Sequence, residues 1–332
     1  MLVLSHDQVL EALSPEECAD AMSEVLVATA RGETYMPLRM IIGPPGASGL
    51  MGLMPAWRGQ STREQSVFSL KALCVIPDNP ARRLDTHQGV VALFDGEIGV
   101  PLAILDASAV TAVRTAAVSA VATAALARED ARVLAILGAG VQARSHVKAL
   151  LRVREFEEVR VYAPNHDHAH AVINSIEHAP GSGTLAAQVT STAREAIVGA
   201  DVVVTATSSR TPVLELEWLS PGTHINAIGA STPTSCELTA ATVAACALYA
   251  DSRESIRNEA GEFRATIEQG LIGEDHVRAE LGEVLAGLRP GRETDGQITI
   301  FRSLGLAVED LAAAQHAVRT AARLGLGTEV HL

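Results

Sequence analysis

The chain has 332 residues, 48% of them hydrophobic, and a formal net charge of −13. That length suggests about two domains, and the acidic balance argues against general binding to nucleic acid or an anionic membrane. Aromatic residues make up only 3%, which leaves few platforms on which bases would stack.

In chain order, the start MLVLSHDQVLEAL has no basic flank and no cleavage-like site, so no signal peptide is expected. Residues 5–32 read as helical, with Ser14 as an N-cap, Pro15 in the first turn, and Met22, Val25, Leu26 and Thr29 on one apolar face. Residues 36–105 break into short strand-like runs, MPLRMII, GLMGLMPAW, SVFSLKALCVIP, GVVALFD and PLAILD. Gly, Pro, Asn and Asp turns separate them, and Asp95-Gly96 marks a hairpin corner. They predict a mostly antiparallel sheet. Residues 107–127 are Ala-rich and predict a helix joining two domains. No run is expected to supply the ~18 apolar residues of a membrane span.

From Arg132 the pattern alternates. VLAILG, EVRVYA, LAAQVT, DVVVTAT, THINAIG and ALYADS read as strands between helices, which predicts a parallel, doubly wound sheet. Residues 298–303 read as a last strand, and residues 308–324 as a helix that returns to the front domain.

The first of these strands runs into Gly138-Ala139-Gly140-Val141-Gln142-Ala143, a G-x-G-x-x-A turn. Gly138 permits the tight turn, Gly140 lets a pyrophosphate approach the backbone, and Ala143 lets the helix pack close to the strand. The helix N-terminus offers N–H groups and partial positive charge to the phosphates. The tip of the second strand, Tyr162-Ala163-Pro164-Asn165-His166, has no acid for a ribose 2′-OH and no Arg for a 2′-phosphate. Asn165 and His166 suit either cofactor. The missing carboxylate removes repulsion against a 2′-phosphate, which favours NADP slightly over NAD. His166, His168 and His170 fall on several sides of a helix start and read as solvated, so no metal site is expected.

Lys71 and Lys148 are the only lysines. Lys148 reads as solvent-exposed. Lys71 lies in an apolar strand, where it is either on a solvent face or an amine in a dry pocket. Cys18, Cys74, Cys236 and Cys246 form no C-x-x-C pair and read as reduced thiols of a cytoplasmic protein.

Arg39, the M-P-A at Met54, Lys71, T-H-Q-G from Thr86, T-A-V-R-T-A-A from Thr111, G-A-G-V-Q, I-N-A-I-G-A-S from Ile225 and F-R-S-L-G-L-A-V-E-D-L from Phe301 occur in this order. Together they resemble the ornithine cyclodeaminase/μ-crystallin family over nearly the whole chain. The resemblance implies an α/β protein with a Rossmann-type doubly wound sheet over residues 113–307. Residues 1–112 with 308–332 would form an α+β domain for substrate binding and dimerisation, and the active site would lie in the cleft. It also implies a nicotinamide cofactor, a small α-imino or α-amino acid substrate and a homodimer. Arg39, Lys71 and Arg114 match residues that hold the substrate carboxylate, and Leu304 a substrate-side position. Thr86, Arg114, Val141, Gln142, Thr205, Ala227, Ile228 and Ser303 match cofactor-contacting positions, with Thr115 and Thr207 nearby. Ser303 has a second reading as the N-cap of the last helix.

The loop Gly229-Ala230-Ser231-Thr232-Pro233-Thr234-Ser235 departs from the cyclodeaminase pattern, which carries an Asp where Ser231 stands. A serine hydroxyl cannot act as a carboxylate base near neutral pH. The expected activity is therefore NAD(P)H-dependent reduction of an α-imino acid, such as the cyclic imine 1-pyrroline-2-carboxylate. Lys71 would handle the proton, and Ser231 would hydrogen-bond the substrate or the nicotinamide ribose. The rivals are an ornithine or lysine cyclodeaminase, an alanine-type dehydrogenase, and a μ-crystallin-like binding protein without useful turnover.

Overall fold

The structure, a computed structural model, describes residues 1–59, 65–82, 84–177 and 185–331. The chain divides into two compact units, Met1–Arg114 with Gly305–Leu332, and Thr115–Leu304.

The first unit begins with β1 (Leu2–Leu4), α1 (His6–Ala12) and α2 (Pro15–Ala30). Ser5 and Ser14 each accept a hydrogen bond from the backbone N–H three residues on. The predicted helical stretch is therefore two helices, because the Ser14 hydroxyl starts a new one. Then come β2 (Thr34–Tyr35), β3 (Met40–Ile42), β4 (Leu50–Arg58), β5 (Val67–Val75), β6 (His87–Asp95) and β7 (Pro101–Asp106). Residues 36–39 lie outside any strand, so the run MPLRMII is a strand only in its second half. Asp95 does open the β6–β7 corner: its Oδ1 accepts from the N–H groups of Glu97 and Ile98.

α3 (Ala107–Leu126) follows. By length and mean hydropathy (1.5) it is long and apolar enough to cross a membrane, contrary to the expectation that no run would be. Its composition has another cause: 78% of that window is buried inside the protein, and a helix buried on all sides needs no polar face.

The second unit contains β8 (Val133–Leu137), α4 (Val141–Leu150), β9 (Glu158–Tyr162), α5 (His166–Glu177), β10 (Ala186–Val189), α6 (Ala193–Ile197), β11 (Val202–Thr205) and β12 (His224–Ala227). It continues through α7 (Ala240–Ala245), β13 (Ala247–Ala250), α8 (Arg253–Glu259), α9 (Gly261–Glu268), β14 (Val277–Glu280), α10 (Leu281–Leu285) and β15 (Thr299–Arg302). The chain then returns to the first unit with α11 (Ala307–Leu324) and β16 (Thr328–Glu329).

The first unit's sheet has the order β16-β1-β7-β6-β5-β4-β2, with β3 paired to β4. It is antiparallel except where β1 runs parallel to β7. Side chains alternate between its faces. On the inner face Ser69, Lys71 and Leu73 of β5 are buried beside Met54 and Ala56 of β4 and Val91 and Leu93 of β6. α11 packs on α2 and on β4, β5 and β6.

The second unit's sheet has the order β10-β9-β8-β11-β12-β15-β13-β14, and every pair is parallel. This is the Rossmann-type doubly wound arrangement. The last strand in sequence, β15, is inserted between β12 and β13 rather than at an edge, which is why all four of its residues are buried.

Candidate active site

In the first unit, three predicted basic residues meet around the start of α11. Lys71 points from the inner face of β5 and lies 2.7 Å from Asp310 Oδ2. Arg114, on α3, donates from Nε to Asp310 Oδ1 at 2.9 Å and from a terminal nitrogen to Glu309 Oε2 at 2.8 Å. Arg39 donates to the Gly305 carbonyl at 3.1 Å. Gly305 has φ +81°, and a Cβ there would lie 2.7 Å from the Arg114 guanidinium, so only glycine lets the chain turn this close to the arginine.

Lys71 is 2% exposed, so it does not lie on a solvent face. Burial pushes its pKa down to about 8; Asp310 opposes that shift, and Arg114 and Arg39 add to it. Burial also opposes the charge on Asp310, but Arg114 and Lys71 outweigh it and hold the carboxyl below the usual range. Removing one partner of such a buried set leaves an uncompensated charge, at a cost of about 3–5 kcal/mol.

Glu309 and Asp310 were not assigned a role from sequence. Glu309 accepts from the Leu306 N–H as well as from Arg114, so it also serves the start of α11. Two adjacent acids at a helix start ordinarily read as dipole partners on a wet surface. The available signal was the apolar stretch LAAA that follows them, together with the rule that buried cations need counterions.

In the second unit, Gly138 has φ +121°, and a Cβ there would lie 2.4 Å from the Ala206 carbonyl oxygen. Gly140 is the N-cap of α4, and no side chain caps that end. A Cβ at Gly140 would meet no atom within 4 Å. An uncapped helix start above an open glycine fits the pyrophosphate of a dinucleotide. Val141 is exposed and Gln142 half-buried at this start. The tips of β11 and β12 place Thr205, Ala227 and Ile228 in buried positions and Thr207 in a half-buried one.

Ser303 follows β15 and is 2% exposed. It does not cap α11, whose N-cap is Leu306; the chain needs two further residues, including Gly305, to turn before the helix begins. The Ser303 hydroxyl has no hydrogen-bond partner among the described residues, which fits a group that meets a bound cofactor. Asn165 is exposed, and its Oδ1 accepts the His168 N–H at the start of α5. His166, His168 and His170 are exposed there. Ser231 is exposed on the loop after β12, Leu304 is buried, Thr115 is buried on α3, and Thr86 is half-buried before β6.

The family model for the ornithine cyclodeaminase/mu-crystallin family matches residues 1–323. A Delta(1)-pyrroline-2-carboxylate reductase of Bacillus cereus (strain ZK / E33L) is 33% identical over 331 residues, covering 99% of each chain. The solved structure of Thermococcus litoralis Delta(1)-pyrroline-2-carboxylate reductase in complex with NADH and L-proline superposes with a TM-score of 0.93 at 34% identity. That match covers 99% of this chain and 100% of the other. An archaeal alanine dehydrogenase dimer with bound NAD superposes with a TM-score of 0.91 at 34% identity, covering 100% and 99%.

Proposed function

The chain belongs to the ornithine cyclodeaminase/mu-crystallin family, and from that premise we propose that it is an NAD(P)H-dependent reductase of α-imino acids. It converts a compact imine of the 1-pyrroline-2-carboxylate type to the α-amino acid. The observation that carries this reading is the dry Lys71–Asp310 pair beside Arg114, because reducing C=N beside a carboxylate requires a cationic grip and one proton.

Arg114 is fixed in orientation by its two acids and, with Arg39, receives the substrate carboxylate. When bound, the reduced nicotinamide supplies the hydride to the imine carbon. Lys71 holds the proton that nitrogen carries in the product, and Asp310 keeps it on Nζ until it is needed. Ser303 and the tips of β11 and β12 receive the nicotinamide end, the Gly138–Gly140 turn receives the pyrophosphate, and Ser231 hydrogen-bonds the substrate or the ribose. A loop with serine in place of an acid suits reduction, where no water is activated to attack the carbon. The tip of β9 lacks an acid, so NADPH is favoured slightly over NADH. The four free cysteines support a reducing compartment, the cytoplasm.

The test is oxidation of NADH and NADPH with 1-pyrroline-2-carboxylate, 1-piperideine-2-carboxylate, and pyruvate with ammonia. A cyclic imine is expected to give the highest kcat/KM, with NADPH ahead of NADH. Ammonia release from ornithine or lysine without net change in NADH would overturn the reading, as would cofactor binding with no turnover of any imine.

The outer face of the first unit's sheet supports a homodimer. Met51, Phe68, Val90 and Leu102, on four successive strands, are each 38–48% exposed. Trp57 packs its ring 6.4 Å from that of Phe68. Apolar side chains repeated across a sheet face mark an association surface, and a second copy is its occupant here, as the dimeric neighbour suggests. Phe68→Glu is expected to shift the protein from dimer to monomer in sedimentation velocity; a monomeric wild-type chain at micromolar concentration would refute the dimer.

A further inference from the structure

The second unit buries an acid to which the reading above gives no role. Glu237 follows the Ser231 loop and is 0% exposed. Its carboxylate accepts five hydrogen bonds. Oε1 takes the Thr207 N–H and the Thr207 hydroxyl, both at 2.7 Å. Oε2 takes the Thr205 hydroxyl at 2.8 Å, the Gly229 N–H at 2.7 Å and the Ala230 N–H at 3.2 Å. The donors come from two chain segments, the tip of β11 and the turn after β12. One charge therefore joins the C-terminal ends of two neighbouring parallel strands, the edge at which ligands bind in such sheets.

Two glycines show how tightly this edge is built. A Cβ at Gly229 would lie 2.5 Å from Glu237 Oε1 and 2.1 Å from the Thr207 carbonyl oxygen, so glycine is needed for the N–H to reach the acid. Gly138 in turn packs against the Ala206 peptide, between the two threonines that Glu237 holds. The phosphate-binding turn, the β11 tip and the β12 turn are thus braced by one carboxylate. The threonine hydroxyls also have their hydrogens committed to Glu237, which leaves only their lone pairs and methyl groups to meet a ligand.

The geometry points to Glu237 as a positioning residue for the nicotinamide cofactor. It touches neither substrate nor reacting atoms; it presets the loops that receive the cofactor, and this inference rests on the reductase reading. Preset loops spare the cofactor the cost of ordering them on binding. Glutamine at this position keeps the shape but turns an NH2 toward donors, so one segment must move away.

The experiment titrates NADH and NADPH into wild type, Glu237→Gln and Gly229→Ala by cofactor fluorescence, and measures KM for the imine at saturating cofactor. Glu237→Gln is expected to raise the cofactor Kd about 10-fold or more while the imine KM stays within about twofold. Gly229→Ala reaches the same contacts by steric pressure and is expected to give the same signature, which covers the case in which Glu237→Gln does not fold. A cofactor Kd within twofold of wild type in either folded variant overturns the inference while leaving the reductase reading intact. So does a parallel loss of cofactor affinity and melting temperature with a rise in imine KM, the mark of general damage. Failure of the wild type to bind either cofactor would defeat the reductase reading itself.

Discussion

Lys71→Met is expected to lower kcat/KM for the imine about 1000-fold, within the range that a positioned proton donor contributes. The substitution keeps the stem's volume and apolar character and removes only the ammonium. Asp310 keeps Arg114 at 2.9 Å, but the buried acids then face one cation fewer, at a cost of about 3–5 kcal/mol, so kcat/KM is measured well below the lowered melting temperature. The effect should appear mainly in kcat, because Arg39 and Arg114 still hold the carboxylate. Lys71→Arg separates charge from proton chemistry: a guanidinium restores the positive field but does not give up its proton, and should keep KM near wild type without recovering kcat.

The pH profile carries the same prediction with a defined sign. A proton donor is active in its protonated form, and burial brings Lys71 to about 8. The wild-type kcat/KM should therefore hold below pH 8 and fall as pH rises through it. That alkaline limb should vanish in Lys71→Met, whose residual rate no longer depends on this group. An unchanged kcat/KM in the variant would remove Lys71 from the mechanism.

How much of this was legible in the sequence differs between local and distant features. The G-x-G-x-x-A turn and its flanking strands could be read because their causes, a positive φ at Gly138 and an apolar run, are local. The position of β15 between β12 and β13 could not, because crossover order depends on how distant strands pack. β1, with three residues, is too short to show alternation. The family resemblance singled out Arg39, Lys71 and Arg114, and the structure brings them together. Their counterions Glu309 and Asp310 stayed hidden, since an acid's partner nearly 200 residues away leaves no periodic trace. Glu237 was hidden for a different reason: its donors are only 7 to 32 residues away, but they meet at a sheet edge that no local pattern defines.

Asp310→Asn should both destabilise the fold and move the alkaline limb. The carboxylate lies between Lys71 and Arg114, and all three side chains are 5% exposed or less. Without it, the buried Lys71 and Arg114 lose the carboxylate they share, a loss of about 3–5 kcal/mol that thermal melts would detect. The second effect is diagnostic. Asp310 is the group that raises the Lys71 pKa against burial, Arg114 and Arg39. Once it is neutral, those three act unopposed by it, and Lys71 gives up its proton at lower pH. The limb should move from pH 8 downward by at least about one unit, so that the variant is nearly inactive at pH 8 and recovers as the pH is lowered toward 6. Glu309→Gln is the control, because Glu309 pairs with Arg114 and has no ion pair to Lys71. It should also cost stability but leave the limb near pH 8. A limb that stays at pH 8 in Asp310→Asn would mean that Lys71 is not the titrating group.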